Sequence, residues 1–255
     1  MNTPQNLDRR MISASKTLKL PTIKTHYMEA AKQARSKDIS HESYLVDMLE
    51  QEAQLRLQKR VERMLRESRL PLEKTLETFD RKRLPNKVNT QVNVLIEGDF
   101  LQRTENILVF GNPGSGKTHL ICAIAHELIQ RGRRILFTPC SILVQQLLEA
   151  KKDLVLPRML QKLLRFEALI IDDIGYVQQS REEMEVLFTL LAERYERGSV
   201  LLTSNLPFSK WEQIFKDPMT TAAAIDRLVH HSIILELNVQ SYRLESSQKR
   251  KQPKE

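Results

Sequence analysis

The sequence predicts an α/β fold, a parallel sheet with helices on both faces, preceded by a small all-α N-terminal domain. Three observations lead there. From residue 106 onward, short apolar runs (Ile107–Phe110, Ala168–Ile171, Val200–Leu202) alternate with segments of helical spacing, and strands without polar alternation are those buried on both faces of a parallel sheet. The first run leads into Gly111-Asn112-Pro113-Gly114-Ser115-Gly116-Lys117-Thr118, a glycine-rich turn that belongs between a strand and a helix of such a sheet. Ahead of Pro85 the periodic segments are helical throughout.

The elements follow in order. Residues 1–15 are polar and predicted to be loosely ordered, Pro21 to Ala34 has helical spacing, and Ser36-Lys37-Asp38 makes a turn. Ser40 then stands as the N-cap of a long helix reaching about Glu67, because a serine there accepts a first-turn amide that has no partner within the helix. On that helix Ala53, Leu57, Val61 and Met64 mark an apolar face, while Arg56, Lys59, Arg60, Arg63 and Arg66 gather roughly opposite. Pro71 opens a boundary segment with a short helix in Leu72–Phe79, and Val88–Leu101 is a further helix. Next come strand Ile107–Phe110, helix Lys117–Gln130, strand Arg134–Thr138, helix Ser141–Ala150 and strand Ala168–Asp172. Helix Arg181–Arg197, strand Ser199–Ser204, helices near Lys210–Phe215 and Thr221–His230, and strand Ser232–Leu237 complete the pattern. The chain therefore divides into a basic helical domain (residues 1–80), a nucleotide-binding domain (81–246) and a basic, disordered tail (247–255).

Charge follows the same division. Residues 1–90 hold 19 Lys and Arg against 12 Asp and Glu, almost all of the net +8. Such a basic appendage beside a near-neutral core favours a polyanion, most simply double-stranded DNA. Aromatic residues are scarce there (Tyr27, Tyr44 and Phe79), which points to backbone contact with a duplex rather than stacking of single-strand bases. The stripe from Arg56 to Arg66 is the candidate DNA face; a solvated side paired at i,i+4 with Glu52 and Glu62 fits it equally. No run approaches the length of a membrane span and no apolar signal stretch opens the chain, so no membrane partner and a cytoplasmic location are expected. Cys122 and Cys140 are too few for a zinc site or disulfide framework.

The chemistry starts at the glycine-rich turn. It fits G-x-x-x-x-G-K-[ST] without mismatch, a phosphate loop in which backbone amides surround the β-phosphate. Lys117 supplies charge at the β- and γ-phosphates, and the Thr118 hydroxyl is placed for Mg²⁺. Gly111 to His119 thus form the candidate ATP cradle, helped by the positive end of the helix that begins there. Leu169-Ile170-Ile171-Asp172-Asp173 is a buried strand ending in two carboxylates. Asp172 is the candidate Mg²⁺ ligand beside Thr118, and Asp173 the candidate base for an attacking water. The strand Val200–Thr203 ends in Ser204-Asn205, where Asn205 either contacts the γ-phosphate and water or forms the turn before Pro207.

Taken in order, Gly111–His119, Leu169–Tyr176, Glu193–Arg197, Thr203–Phe208, Trp211–Phe215, Ala224–Leu228 and Ser241-Tyr242-Arg243 resemble the IstB-like transposition ATPases, helper proteins of bacterial insertion sequences. The resemblance spans about residues 15–245 and includes Phe79-Asp80 ahead of the core. It implies an AAA+ (ASCE P-loop NTPase) fold at residues 81–246 and a homo-oligomer with shared ATP sites. One subunit's nucleotide would then be completed by Arg227 of a neighbour, the alternative for Arg227 being a salt bridge with Asp226 in its own chain. Arg243 would serve nucleotide sensing or anchor the last strand. The implied function is an ATPase that binds ATP and Mg²⁺, assembles on duplex target DNA and recruits or stimulates a transposase. An Asp at position 173, where many AAA+ proteins carry Glu, implies slow hydrolysis. The alternative that the same motifs allow is a DnaC-like replicative helicase loader, with residues 1–85 as a protein-docking module.

Overall fold

Apolar runs with no polar face need cover on both sides, and the computed structural model, which describes residues 4–175, 180–211 and 218–242, provides it. Two compact units divide at Met1–Arg63 and Met64–Glu255.

The first unit is helical. Helix α1 (Pro4–Thr17) packs against α2 (Pro21–Ser36), and α3 (His41–Ser68) starts in this unit and runs past its end. The expectation of loose structure over residues 1–15 is corrected from Pro4 onward; Leu7, Met11, Ala14 and Leu18 recur at helical spacing. The first amides of α2, as in any helix, have no internal partner, and Glu52 of α3 supplies one. Its Oε2 accepts from the amides of Thr22 (2.8 Å) and Ile23 (3.3 Å). Burial pushes that carboxyl up, but the two amides and Arg56 outweigh it and hold it below the usual carboxylate range. Ser40 caps α3 as expected, accepting from the amide of Ser43.

The buried face of α3 differs from the predicted one. Met48 and Glu52 are buried in its first half, Val61, Met64 and Ser68 in its second, and Ala53 and Leu57 are exposed. One 28-residue helix changes its covered side along its length, so a single apolar stripe does not describe it.

The second unit carries the sheet, β1 (Asn106–Gly111), β2 (Ile135–Pro139), β3 (Ala168–Ile174), β4 (Ser199–Ser204) and β5 (Ser232–Leu237), in spatial order β2-β3-β4-β1-β5 with every pair parallel. Ile107–Val109, Ala168–Ile171 and Leu201–Leu202 are fully buried, the consequence of helices lying around a parallel sheet. The helices are α4 (Asn86–Leu95), α5 (Asp99–Gln102), α6 (Lys117–Gln130), α7 (Cys140–Lys152), α8 (Leu156–Leu163), α9 (Arg181–Arg194) and α10 (Pro218–Val229). The single helix predicted over Val88–Leu101 is two, because Gly98 takes a left-handed φ of 86°. Helix α8 was not anticipated. Of the helix expected near Lys210–Phe215, residues 212–217 lie outside the described residues, and Phe208–Lys210 is a 3₁₀ turn.

The short helix expected in Leu72–Phe79 does not form. Thr78 Oγ1 donates to Glu73 O (2.7 Å) and Thr75 O (3.1 Å), local bonds that compete with a helical ladder. Residues 70–80 instead form a strap on α6. His126 Nε2 bonds Pro71 O and His119 Nε2 bonds Thr75 O, each at 3.1 Å; a carbonyl only accepts, so both rings are protonated on Nε2. Among the described residues, no helix is long and apolar enough to cross a membrane.

Candidate nucleotide site

The carboxyl ends of β1, β3 and β4 converge where nucleotides bind in parallel sheets. Gly114 and Gly116 have φ of 80° and 93°, conformations that side-chain-bearing residues rarely adopt. Each is also crowded: a Cβ on Gly114 would run into Ser241, and one on Gly116 would lie 3.1 Å from the Phe79 ring. This tight turn delivers Lys117, a largely buried residue, as the first of α6, where its ammonium donates to Gly111 O (2.8 Å) and Asn112 O (3.1 Å).

Thr118 Oγ1 donates to Asp172 Oδ1 at 2.9 Å, and Thr203 Oγ1 donates to the same oxygen at 2.6 Å. The Asp173 amide donates to Thr203 Oγ1 at 2.7 Å. A cavity of about 410 Å³ opens beside this set, lined by the loop from Pro113 to His119 and by Asp173 and Asn205. Two buried oxygens in the loop and the β4 end, Ser115 Oγ and Asn205 Oδ1, have no hydrogen-bond partner among the described residues.

The structure therefore brings together Gly111 to His119, Asp172, Asp173 and Asn205. His119 reaches the cavity wall, but its Nε2 is engaged by Thr75 and Thr78, and burial holds the imidazole below its ordinary pKa. Arg243 lies outside the described residues. Arg227 is at the other edge of the sheet: the carbonyl of its neighbour Leu228 accepts from Asn106 Nδ2 (3.1 Å) at the start of β1. The six residues of β1 separate that edge from the phosphate loop by roughly 17–20 Å at about 3.3 Å per residue. The Arg227 guanidinium lies 4.5 Å from the Phe188 ring centre, its Nη1 buried without a hydrogen-bond partner among the described residues. No ion pair links it to Asp226 among the described residues. In the basic stripe, Arg56 is bound to Glu52 Oε1 (3.1 Å) and to the Lys19 carbonyl, whereas Lys59, Arg60, Arg63 and Arg66 are exposed.

This geometry agrees with the comparisons to known proteins. The family model described as IstB-like ATP binding protein matches residues 13–250. The chain belongs to the IstB-like ATP-binding proteins. It is 44% identical over 235 residues to a Sinorhizobium fredii protein named as an insertion sequence ATP-binding protein, covering 92% of this chain and 79% of that one. A Pseudomonas aeruginosa protein, named as the ATP-binding protein of insertion sequence IS21, is 39% identical over 91% of this chain and 88% of its own length. The crystal structure of the DnaC helicase loader superposes with a TM-score of 0.56 over 66% of this chain and 98% of that one. At 16% identity that likeness establishes the AAA+ fold alone.

In this IstB-like chain, several cavity-lining residues escaped the sequence reading. Phe79, Asp80 and Arg83 come from the strap and the turn after it, Val239 and Tyr242 from the segment after β5. Phe79 meets His119 edge-on at 5.1 Å between ring centres. Arg83 donates to Gln240 O (2.9 Å) and stacks over Tyr242, and the Tyr242 amide bonds Gly114 O. The signal was the Phe79-Asp80 pair, which the motif resemblance included but the predicted boundary assigned to the N-terminal side.

Proposed function

We propose that this chain is an ATP-dependent, DNA-binding AAA+ ATPase that assembles on duplex target DNA and recruits or stimulates a transposase for insertion. The observation supporting the ATPase part of this reading is Asp172 held by Thr118 and Thr203 beside Lys117, at a cavity lined by the loop, Asp173 and Asn205; the transposition part rests on the match to the IstB-like family. The donor set suits Mg²⁺: a hydroxyl whose proton is already given to Asp172 keeps its lone pairs for a hard cation, and the Asp172 carboxylate would add a second hard oxygen, the other positions falling to phosphate oxygens and water. When bound, Mg²⁺ neutralises charge on the β- and γ-phosphate oxygens. Lys117 turns from the Gly111 and Asn112 carbonyls to the phosphates. Asp173 takes the proton of the water that attacks the γ-phosphorus, the bond to the bridging oxygen breaks, and ADP and phosphate result. Asn205 orients that water. Arg227, a strand's length from its own loop, acts on the nucleotide of a neighbouring subunit.

The test is the ATPase rate with and without duplex DNA, alongside sizing of the complex in each nucleotide state. Stimulation by DNA together with ATP-dependent assembly is expected; turnover that ignores DNA in a protein that stays monomeric would overturn the reading. For the DNA face, the exposed members of the basic stripe make the sharper prediction. Replacing Lys59, Arg60 and Arg63 together by Gln should weaken binding about equally for unrelated duplexes. It should also reduce the log–log salt slope by about 0.9 per lost phosphate contact. An unchanged slope places the DNA contacts elsewhere, with Lys151, Lys152 and Arg158 as the next candidates.

A further inference from the structure

The β3–β4 ladder is regular from Ala168↔Ser199 to Ile171↔Leu202, then shifts and resumes at Ile174↔Ser204. The two residues inside the interruption are Asp172 and Asp173. Asp173 sits at a φ of 65°, a left-handed conformation uncommon outside glycine though tolerated best by Asn and Asp. An interrupted ladder leaves an amide in want of an acceptor. Thr203, 1% exposed on β4, answers it: its Oγ1 accepts from the Asp173 amide at 2.7 Å and gives its own proton to Asp172 Oδ1 at 2.6 Å. A hydroxyl has one proton and two lone pairs, so both bonds are made at once with the correct polarity.

We propose that Thr203 is a positioning residue for hydrolysis, one hydroxyl fixing the Asp172 carboxylate and the left-handed backbone of Asp173 together. The proposal rests on the ATPase reading above. With Thr118 and Thr203 both bonded to Oδ1, the Asp172 carboxylate is held in one orientation, and its Oδ2 would be the oxygen left for Mg²⁺. The Asp173 backbone, held in its unusual conformation, keeps the carboxylate at the cavity where an attacking water would sit. Position 203 is paired with Val109 of β1, so an isosteric Val preserves strand and packing while making neither bond. Serine makes both.

The experiment compares Thr203→Val, Thr203→Ala and Thr203→Ser in the full-length protein, each checked by circular dichroism and thermal melting. Two quantities are read: affinity for a fluorescent ATP analogue as a function of Mg²⁺ concentration, and ATP turnover with duplex DNA present. For Val and Ala, analogue binding at saturating Mg²⁺ should stay within about threefold. The Mg²⁺ concentration needed for half-maximal binding should rise, and kcat should fall on the order of tenfold to a hundredfold with little change in KM, as the Asp173 amide loses its acceptor and the Asp172 carboxylate one of its two donors. Thr203→Ser should return both to near parental values. If whichever of Val and Ala folds shows parental kcat and Mg²⁺ dependence, or if Ser behaves like them, the positioning role is wrong. A parent protein that neither binds the analogue nor turns over ATP would sink the ATPase reading instead, so the two failures are distinguishable.

Discussion

Lys117→Ala is expected to lower ATP affinity on the order of a hundredfold or more, and with it to abolish ATP-dependent assembly on DNA. The ammonium is held by two backbone carbonyls at the cavity wall, and each charge-assisted bond it transfers to phosphate oxygens contributes about 1.5–3 kcal/mol. Lys74 and Arg83 also line the cavity, yet neither replaces it. Arg83 is engaged by the Gln240 carbonyl and the Tyr242 ring, and Lys74 belongs to the strap, not to the loop that surrounds the phosphates. Equilibrium binding of a fluorescent ATP analogue reads the loss directly. Because the variant frees two carbonyls at an accessible cavity, its melting temperature should change little. Tight binding by a folded variant would dissociate the phosphate loop from nucleotide recognition altogether.

The sheet was legible because its physics is local and redundant. Strands covered on both faces must be apolar at every position, so runs such as Leu169-Ile170-Ile171 announce themselves, and a strand followed by the glycine-rich turn admits few alternatives. The carboxylates at its end were legible for the same reason, since two acids after a buried run emerge at an edge. The strap was not. Leu72–Phe79 has a helix-like pattern, and only the competing hydroxyls of Thr75 and Thr78 and the partners His119 and His126, more than 40 residues away, turn it into a cavity wall. Helix α8 was readable and missed: Leu156, Met159, Leu160 and Leu163 stand at i, i+3, i+4 and i+7.

Arg194 marks a different limit. In Glu193-Arg194-Tyr195-Glu196-Arg197 it has the appearance of a surface charge, yet it is 1% exposed. Its guanidinium donates to the carbonyls of Leu163, Phe166, Glu167 and Ser199 at 2.9–3.2 Å. Burial lowers its pKa to about 10, still charged at neutral pH. The planar five-donor fork gathers chain ends that are remote in sequence, and no local pattern encodes that. The polar hub at Thr203 escaped for the same reason: the bonds that give the residue its role run to β3, 30 residues away.

Asp173→Asn is expected to leave ATP and DNA binding within a few fold of the parent while reducing hydrolysis by at least about 10²-fold, the usual contribution of a general base. Asn tolerates the left-handed φ of 65° as well as Asp does, and the backbone N–H of residue 173 still donates to Thr203 Oγ1, so the lesion is confined to the carboxylate. Complexes on DNA should outlive those of the parent, because nothing discharges the nucleotide. Arg227→Ala should give a similar hydrolytic defect, on the scale of about 10³-fold for the loss of an arginine finger, with a stability cost limited to the stacking on Phe188 of about 0.5–1 kcal/mol. The two variants then test each other. If Arg227 acts across an interface, a mixed assembly contains sites pairing an intact Asp173 with an intact Arg227 from the neighbour, and turnover should reappear although neither protein alone is active. Recovery should peak at intermediate mixing ratios. Absence of recovery at every ratio, with co-assembly verified by sizing, would confine Arg227 to its own subunit, where the length of β1 puts it out of reach of the phosphate loop and leaves it a structural residue beside Phe188.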